Sequence, residues 1–427
     1  MMNRNISIIT LNQFLTNLAD SIFQIVLFWY IYHQTGSALS ASLVTVVTFT
    51  IQIFLSPIIG VISDRYNPKS TMQLSFCVLG VVGIIFAPIY FFFESFIVIY
   101  IYIAIMIHTC CMMLESSSKN RLIPLFAGEE NVIKTNGYIS SSSNVAALLG
   151  NSVGGILLTV LSFAGVMLIH SGLYFLAGVL LLFLFKSKLK MNTAEIKNFE
   201  EKDEKDKEDK VVKESRFFSE LLDGFKLLRR NRPLLKLIIL SCVLNIAMLN
   251  SSLLVVLVSN QYQGSSTTFG LFSMFGVLSS ILIGLIIGKL TARLRVSLLF
   301  TAGLIISGLA TVLMGLTHIV VIGIILNMLI LASTSILRIT FNSFIILCVE
   351  DEFRGRVVSL AVALSAVIVP LVSLLGGYLS DHFGVGIVYI LSGSWVFIWA
   401  LFPLIDKDIR TINLESQQRH HRQDATI

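Results

Sequence analysis

The chain has 427 residues, 55% of them hydrophobic and only 13% charged, with a mean hydropathy of +0.84. Soluble domains carry about 25% charged residues, and a surface this poor in charge cannot keep so long a chain in water. A soluble enzyme, a secreted disulfide scaffold and a disordered chain are therefore excluded, and a polytopic membrane protein remains. The net charge of +6 is no nucleic-acid footprint: 25 of the 56 charged residues sit between 186 and 232, 14 basic and 11 acidic, and no basic stripe is interleaved with aromatics on a folded polar face.

Twelve apolar runs reach the roughly 20 residues a membrane span needs. They lie at about 8–32, 38–63, 70–92, 96–118, 138–161, 165–185, 234–258, 267–288, 296–316, 319–341, 356–380 and 385–405. None alternates as a barrel strand would. The first run is interrupted by Asn12, Gln13, Asn17 and Asp20, and no small-residue cleavage site follows, so a removed signal peptide is not expected. The connections fall into two sets. Asp64–Lys69, Lys119–Lys134, 186–232, Lys289–Arg295, Glu350–Arg356 and both termini carry the Lys and Arg, within a turn or two. His33–Ser37, Phe93–Ser95, Ser162–Ala164, Asn260–Ser266, Thr317–His318 and Asp381–Gly384 carry none. The positive-inside rule puts the first set, and both termini, in the cytoplasm.

The chain repeats internally. Gln13, Asn17, Asp20 and Gln24 are spaced i, i+4, i+7, i+11 on one helix face, and Ser241, Asn245, Met248 and Ser252 keep that spacing 228 residues later. Gly36–Ser37 and Gly264–Ser265 share the offset; Gly60 and Gly284 stand 224 apart, Gly154–Gly155 and Gly376–Gly377 stand 222 apart. The fold expected is all-α, with twelve transmembrane helices in two six-helix bundles around a midplane cavity. The expected boundaries are 1–185 for the N-terminal bundle, 186–232 for a charged cytoplasmic linker, 233–405 for the C-terminal bundle and 406–427 for a cytoplasmic tail.

Asp20 is the one acid near the middle of a predicted span, and an ionisable group at that depth is a functional-site hypothesis by default. It is the proton-coupling candidate; a carboxyl that merely ties helices together is the alternative. Gln13, Asn17 and Gln24 favour a wet cavity over a lipid face, and with Asn245, Met248, Ser252 and His108 they are the substrate-cavity candidates. His108 and His170 read first as hydrogen-bonded core histidines, with a proton relay as the alternative. Glu115 and Lys119 are placed to pair at i, i+4. Glu115 and Arg338, near the cytoplasmic ends of their helices, are gate candidates, with snorkelling the competing reading for Arg338. In the turn after the second run, Gly60 permits a close helix approach, Asn67 suits a left-handed turn and Pro68 stiffens it. The five cysteines show no metal spacing, and no metal or cofactor is expected. No Gly-Lys-Ser/Thr ending is present, so ATP is not the expected energy source.

The stretch Gly60-Val-Ile-Ser-Asp64-Arg65-Tyr-Asn67-Pro68-Lys69 resembles the loop 2–3 signature of the major facilitator superfamily, G-x-x-x-D-R-x-G-R-K. Gly60, Asp64, Arg65 and Lys69 match; Asn67 and Pro68 replace a Gly and an Arg. Gly150-Asn151-Ser152-Val153-Gly154-Gly155 is similar to the helix 5 antiporter signature G-P-x-x-G-G, with Asn151 in place of Pro. Arg354-Gly355-Arg356-Val357 resembles an element of the macrolide-efflux branch, as do Asp20, Trp29-Tyr30 and Thr35-Gly36-Ser37-Ala38. The resemblance implies a proton-driven exporter of drug-like or macrolide-like molecules working by alternating access, as a monomer in the bilayer. It gives Asp64 the role of a cytoplasmic latch and Asp20 that of the coupling carboxylate. A dedicated metabolite or siderophore exporter, and a membrane receptor or immunity protein that does not transport, are the competing readings. An enzyme is not expected, since no catalytic constellation sits at a membrane face.

Overall fold

The computed structural model describes residues 4–128, 131–184, 235–236, 238–240, 245, 249–348 and 351–406; the linker, Met248, Cys242 and the tail beyond Asp406 lie outside the described residues, as do the side chains of Asp64 and of 351–366. Six helices form the first half: α1 Arg4–Thr35, α2 Ala38–Arg65, α3 Pro68–Phe92, α4 Ile97–Ala127, α5 Val132–Val160 and α6 Phe163–Leu182. The second half has α7 Leu249–Val256, continued by a π-helical turn Leu257–Gln261, then α8 Ser266–Arg293, α9 Val296–Leu316, α10 Val320–Cys348, α11 Asp351–Phe383 and α12 Val385–Trp399. Among the described residues nine helices are long and apolar enough to cross a membrane, and three shorter apolar segments, Ser252–Gln261, Val367–Phe383 and Val385–Trp399, fall where the seventh, eleventh and twelfth spans are expected. The protein is an all-α membrane protein with twelve helices in two six-helix bundles.

Short polar punctuation sets the helix starts. Ser37, Ser162 and Ser265 each accept a backbone N–H through the side chain at an N-terminus, and Ser265 forms a capping box with Thr268. Gly36 (φ +63°) and Gly384 (φ +87°) make tight turns that a side chain would strain. Asn67 does not adopt the left-handed turn expected of it: at φ −62° it caps α3 through Lys69 N–H, with Pro68 in the first helical turn. The expected loop 119–134 is mostly helix, because α4 runs on to Ala127 before turning at Gly128 (φ +82°).

The N-terminal bundle packs around two apolar clusters, one centred on Phe76, Leu122 and Tyr174, the other on Val26, Phe86 and Met167. The C-terminal core is built on Leu257, Phe272, Met314 and Tyr389, and Tyr32 and Ala41 of the first half join it. The bundles meet along two crossings, α5 on α8 and α11 on α2, and both are tight at the face whose loops lack Lys and Arg. A Cβ at Gly155 would stand 2.5 Å from the Ser266 carbonyl oxygen, and one at Gly377 would stand 2.7 Å from Ser42 Oγ. Gly60, Gly137, Gly284 and Gly288, toward the opposite, basic face, meet nothing within 4 Å. The close approach expected at Gly60 is thus absent in this state, which is sealed at the charge-poor face.

Candidate functional site

Helix α1 supplies the centre of the site. Its polar stripe does not face one way. Gln13 (1% exposed) and Asp20 (9% exposed) point into the N-terminal bundle, Asn17 is half-buried, and Gln24 is exposed. Asp20 Oδ1 lies 3.0 Å from His108 Nε2 of α4 and accepts a short hydrogen bond from the Tyr174 hydroxyl of α6. The Tyr174 oxygen is also 3.5 Å from the Met112 sulfur. Phe23, one turn from Asp20, stacks on the His108 ring at 4.6 Å and lies 5.0 Å from that of His170. His170 is 4.9 Å from the Tyr174 ring and 6.2 Å from that of His108. His170 is fully enclosed, yet both its ring nitrogens lack a hydrogen-bond partner among the described residues. The hydrogen-bonded core reading therefore fits His108 and not His170.

Two turns toward the basic face, Gln13 joins a second pair of charges. Its amide donates to Glu115 Oε1 at 2.6 Å, and its oxygen accepts from Lys119 Nζ at 2.9 Å. Gln13 is thus a bridge between Glu115 and Lys119 rather than part of a cavity wall. Glu115 is buried, and its second carboxylate oxygen has no hydrogen-bond partner among the described residues. A buried acid is expensive unless compensated. Here two acids, a cation and two imidazoles lie together on α1, α4 and α6.

The remaining predicted residues are spread over the molecule. In the first turn of α3, Lys69 Nζ lies 3.3 Å from the Leu184 carbonyl past the end of α6, where a cation complements the helix dipole. Arg121 of α4 donates to the Ser63 carbonyl at the end of α2. Arg65 and Arg338 are exposed. Gly150 and Gly154 let α5 close on α1, where a Cβ on Gly150 would stand 2.6 Å from Ser21 Cβ, while Gly155 faces α8. Ser252 is buried and Asn245 half-buried. Sequence reasoning missed Tyr174, one of eleven tyrosines with nothing in its neighbours to mark it. It also missed that α5 exposes Asn136, Ser140 and Asn144 along one face at i, i+4, i+8, a stripe that was legible from spacing alone. In a membrane span such a stripe belongs against water, since exposing amides to lipid is costly.

The family model of the Major Facilitator Superfamily matches residues 9–256 and 241–422. The chain is 22% identical over 405 residues to macrolide efflux protein A of Streptococcus pyogenes, covering 93% of this chain and 95% of that protein. It is 22% identical over 374 residues to the MFS-type transporter YvqJ of Bacillus subtilis strain 168, covering 86% and 83%. Its fold matches an inward-facing, occupied bacterial homologue of the human lysosomal transporter Spinster with a TM-score of 0.71 at 12% identity, over 95% of this chain and 96% of that one. Twelve helices in two bundles, a duplicated frame and this match along the whole chain lead to one conclusion: the protein belongs to the major facilitator superfamily and is a multi-pass membrane transporter.

Proposed function

We propose that the protein is a secondary active exporter of amphipathic small molecules, exchanging them for protons by alternating access. The observation that carries the reading is the Asp20 carboxylate, held between His108 and Tyr174 inside a membrane bundle. A charge at that depth costs several kcal/mol to maintain, and the His108 ring and the Tyr174 hydroxyl give the carboxylate two polar partners. The likeness to macrolide efflux protein A supports export of drug-like molecules. The charge-poor loops face outward and both termini lie in the cytoplasm. The units are the bundles 1–185 and 233–405, joined by the linker 186–232, with a tail from 406. The substrate route passes Gln24 and the Asn136–Ser140–Asn144 stripe, while Asp64, Arg65, Lys69 and Arg338 serve the cytoplasmic gate. The protein works as a monomer, without ATP or cofactor.

The test is gradient formation in inverted vesicles with an imposed pH gradient. Asp20→Asn keeps size and hydrogen bonding but cannot titrate. It should abolish uphill, uncoupler-sensitive transport while downhill exchange stays within about threefold of wild type, because a difference of roughly 0.7 kcal/mol or less separates the two. An Asp20→Asn variant that still concentrates substrate would place the coupling group elsewhere, with His108 and Glu115 next. A panel of macrolides and siderophores in the same vesicles separates the drug exporter from the dedicated metabolite exporter. A protein that moves nothing under any gradient would be a receptor.

A further inference from the structure

The two crossings that seal the charge-poor face are copies of one contact. Gly155 of α5 packs on Ser266 and Gly270 of α8, and Gly377 of α11 packs on Leu39 and Ser42 of α2. The numbers keep the internal repeat: 377 minus 155 is 222, and 270 minus 42 is 228. Tyr32 donates to Asn260 at 2.6 Å, and 260 minus 32 is again 228, so that bond joins equivalent ends of α1 and α7 across the repeat axis. Polar chemistry breaks the symmetry. At the α5–α8 crossing a neutral hydrogen bond runs from Ser266 Oγ to the Gly155 carbonyl at 2.9 Å. At the α2–α11 crossing Asp381 accepts from Ser37 Oγ at 2.7 Å, Ala38 N–H at 2.6 Å and Leu39 N–H at 3.1 Å. All three donors belong to the other bundle. The residue 222 positions before Asp381 is Thr159, whose hydroxyl bonds Ile156 of its own helix.

We propose that Asp381 is an outer latch, whose carboxylate holds the first turn of α2 while the outer side is shut and releases it whenever the bundles part there. The α2 N-terminus presents unpaired N–H groups and a positive dipole end, which a carboxylate satisfies better than water-exposed neutral groups do. Charge-assisted bonds are the strong class, and every one of these must break for the outer side to open. Asp381 therefore sets how much of the protein is open outward, whatever the substrate and whichever ion drives it. The latch uses the orientation proposed above.

The test reads opening at the opposite crossing, where Asp381 makes no contact. In a cysteine-free background, Ser266→Cys, buried against Gly155, is labelled on whole cells with a membrane-impermeant thiol reagent. Removing the latch with Asp381→Ala should raise the labelling rate about tenfold or more, since bonds to a charged group carry a factor of that size. Asp381→Asn, which keeps one acceptor, should fall between. A cysteine at Gly284, in the open basic half, should be labelled more slowly in inverted vesicles of the same variants. A labelling rate at Ser266→Cys unchanged by either substitution, in protein of normal membrane abundance, overturns the latch. If Asp381→Ala does not reach the membrane, Asp381→Asn is judged by the same criterion. Ser265→Cys, exposed in this state, must react from outside in every background; its failure would overturn the orientation, and with it the outer placement of the latch.

Discussion

The two six-helix bundles share a frame and differ in what they bury. The N-terminal bundle encloses Asp20, Glu115 and His170, with His108 half-buried beside them. Among the described residues of the C-terminal bundle, the buried polar side chains are Ser, Thr and Asn. At the repeat offset of 222, His170 corresponds to Ser392 and Tyr174 to Val396; at 228, Asp20 corresponds to Met248. Backbone approach is therefore the feature the two halves keep in common, because both must slide and seal on small residues. Among the described residues, the buried Asp, Glu and His side chains all lie in the N-terminal bundle. Burying charges is weak evidence for stability, so a cluster present in one copy and replaced by neutral residues in the other suits the coupling role proposed above.

Three experiments test this contrast between common frame and one-sided chemistry. The largest effect is expected from the frame. Gly155→Ala and Gly377→Ala each force a Cβ to within 3 Å of the opposite bundle, and overpacking of this kind costs about 1–3 kcal/mol. Both should reduce transport or membrane abundance by roughly tenfold. Gly60→Ala and Gly284→Ala meet open space in this state and should leave membrane abundance within about twofold of wild type. Drug accumulation in cells, normalised to abundance, compares all four. A silent Gly377→Ala beside a damaging Gly155→Ala would mean the two crossings are not equivalent.

A smaller effect separates two tyrosines. Tyr174→Phe removes a donor to the Asp20 carboxylate, and a bond to a charged group is worth about 1.5–3 kcal/mol. Transport should drop by about tenfold. Tyr262→Phe removes a neutral bond to the Met314 carbonyl, at 3.0 Å in the C-terminal core. It should cost about 1 kcal/mol of stability and leave initial rates near normal. Equal losses of transport would erase the asymmetry between the bundles.

The smallest effect is expected at His170. An aromatic ring of similar shape without polar atoms satisfies a site where both ring nitrogens lack a hydrogen-bond partner among the described residues. His170→Phe should leave the melting temperature in detergent unchanged or raise it by a few degrees, because replacing an unsatisfied buried polar group is neutral or favourable. A fall of several degrees would show that those nitrogens are bonded in the folded protein.

Much of the frame was legible in the linear sequence, since it follows from local rules. A bilayer demands about 20 apolar residues per span, and serines and glycines mark the ends, so each expected span overlaps its helix, although α4, α5 and α10 run six to nine residues further toward the basic face. The expected connection 119–134 is helical as far as Ala127, and its charges find partners in other helices: Lys119 bonds Gln13 and Arg121 bonds the end of α2. The candidate site was half legible. Asp20 stood out because an acid in an apolar run is rare, and the glycine pairs stood out because they repeat.

Sequence alone therefore determined the membrane class, the helix count, the duplication and the one acid worth singling out, because each depends on composition or on spacing along the chain. It did not determine which way the helix 1 stripe faces. Rotation of α1 is set by packing against α5 and α6, which turns Gln13 and Asp20 inward and leaves Gln24 outside. Nor could spacing bring His108, Tyr174 and Asp20 together, at separations of 88 and 154 residues, or lay Asp381 on the start of α2 from 343 residues away. Those contacts exist only when helices distant in sequence pack side by side, and the hydrogen bonds that give each residue its chemistry form only there.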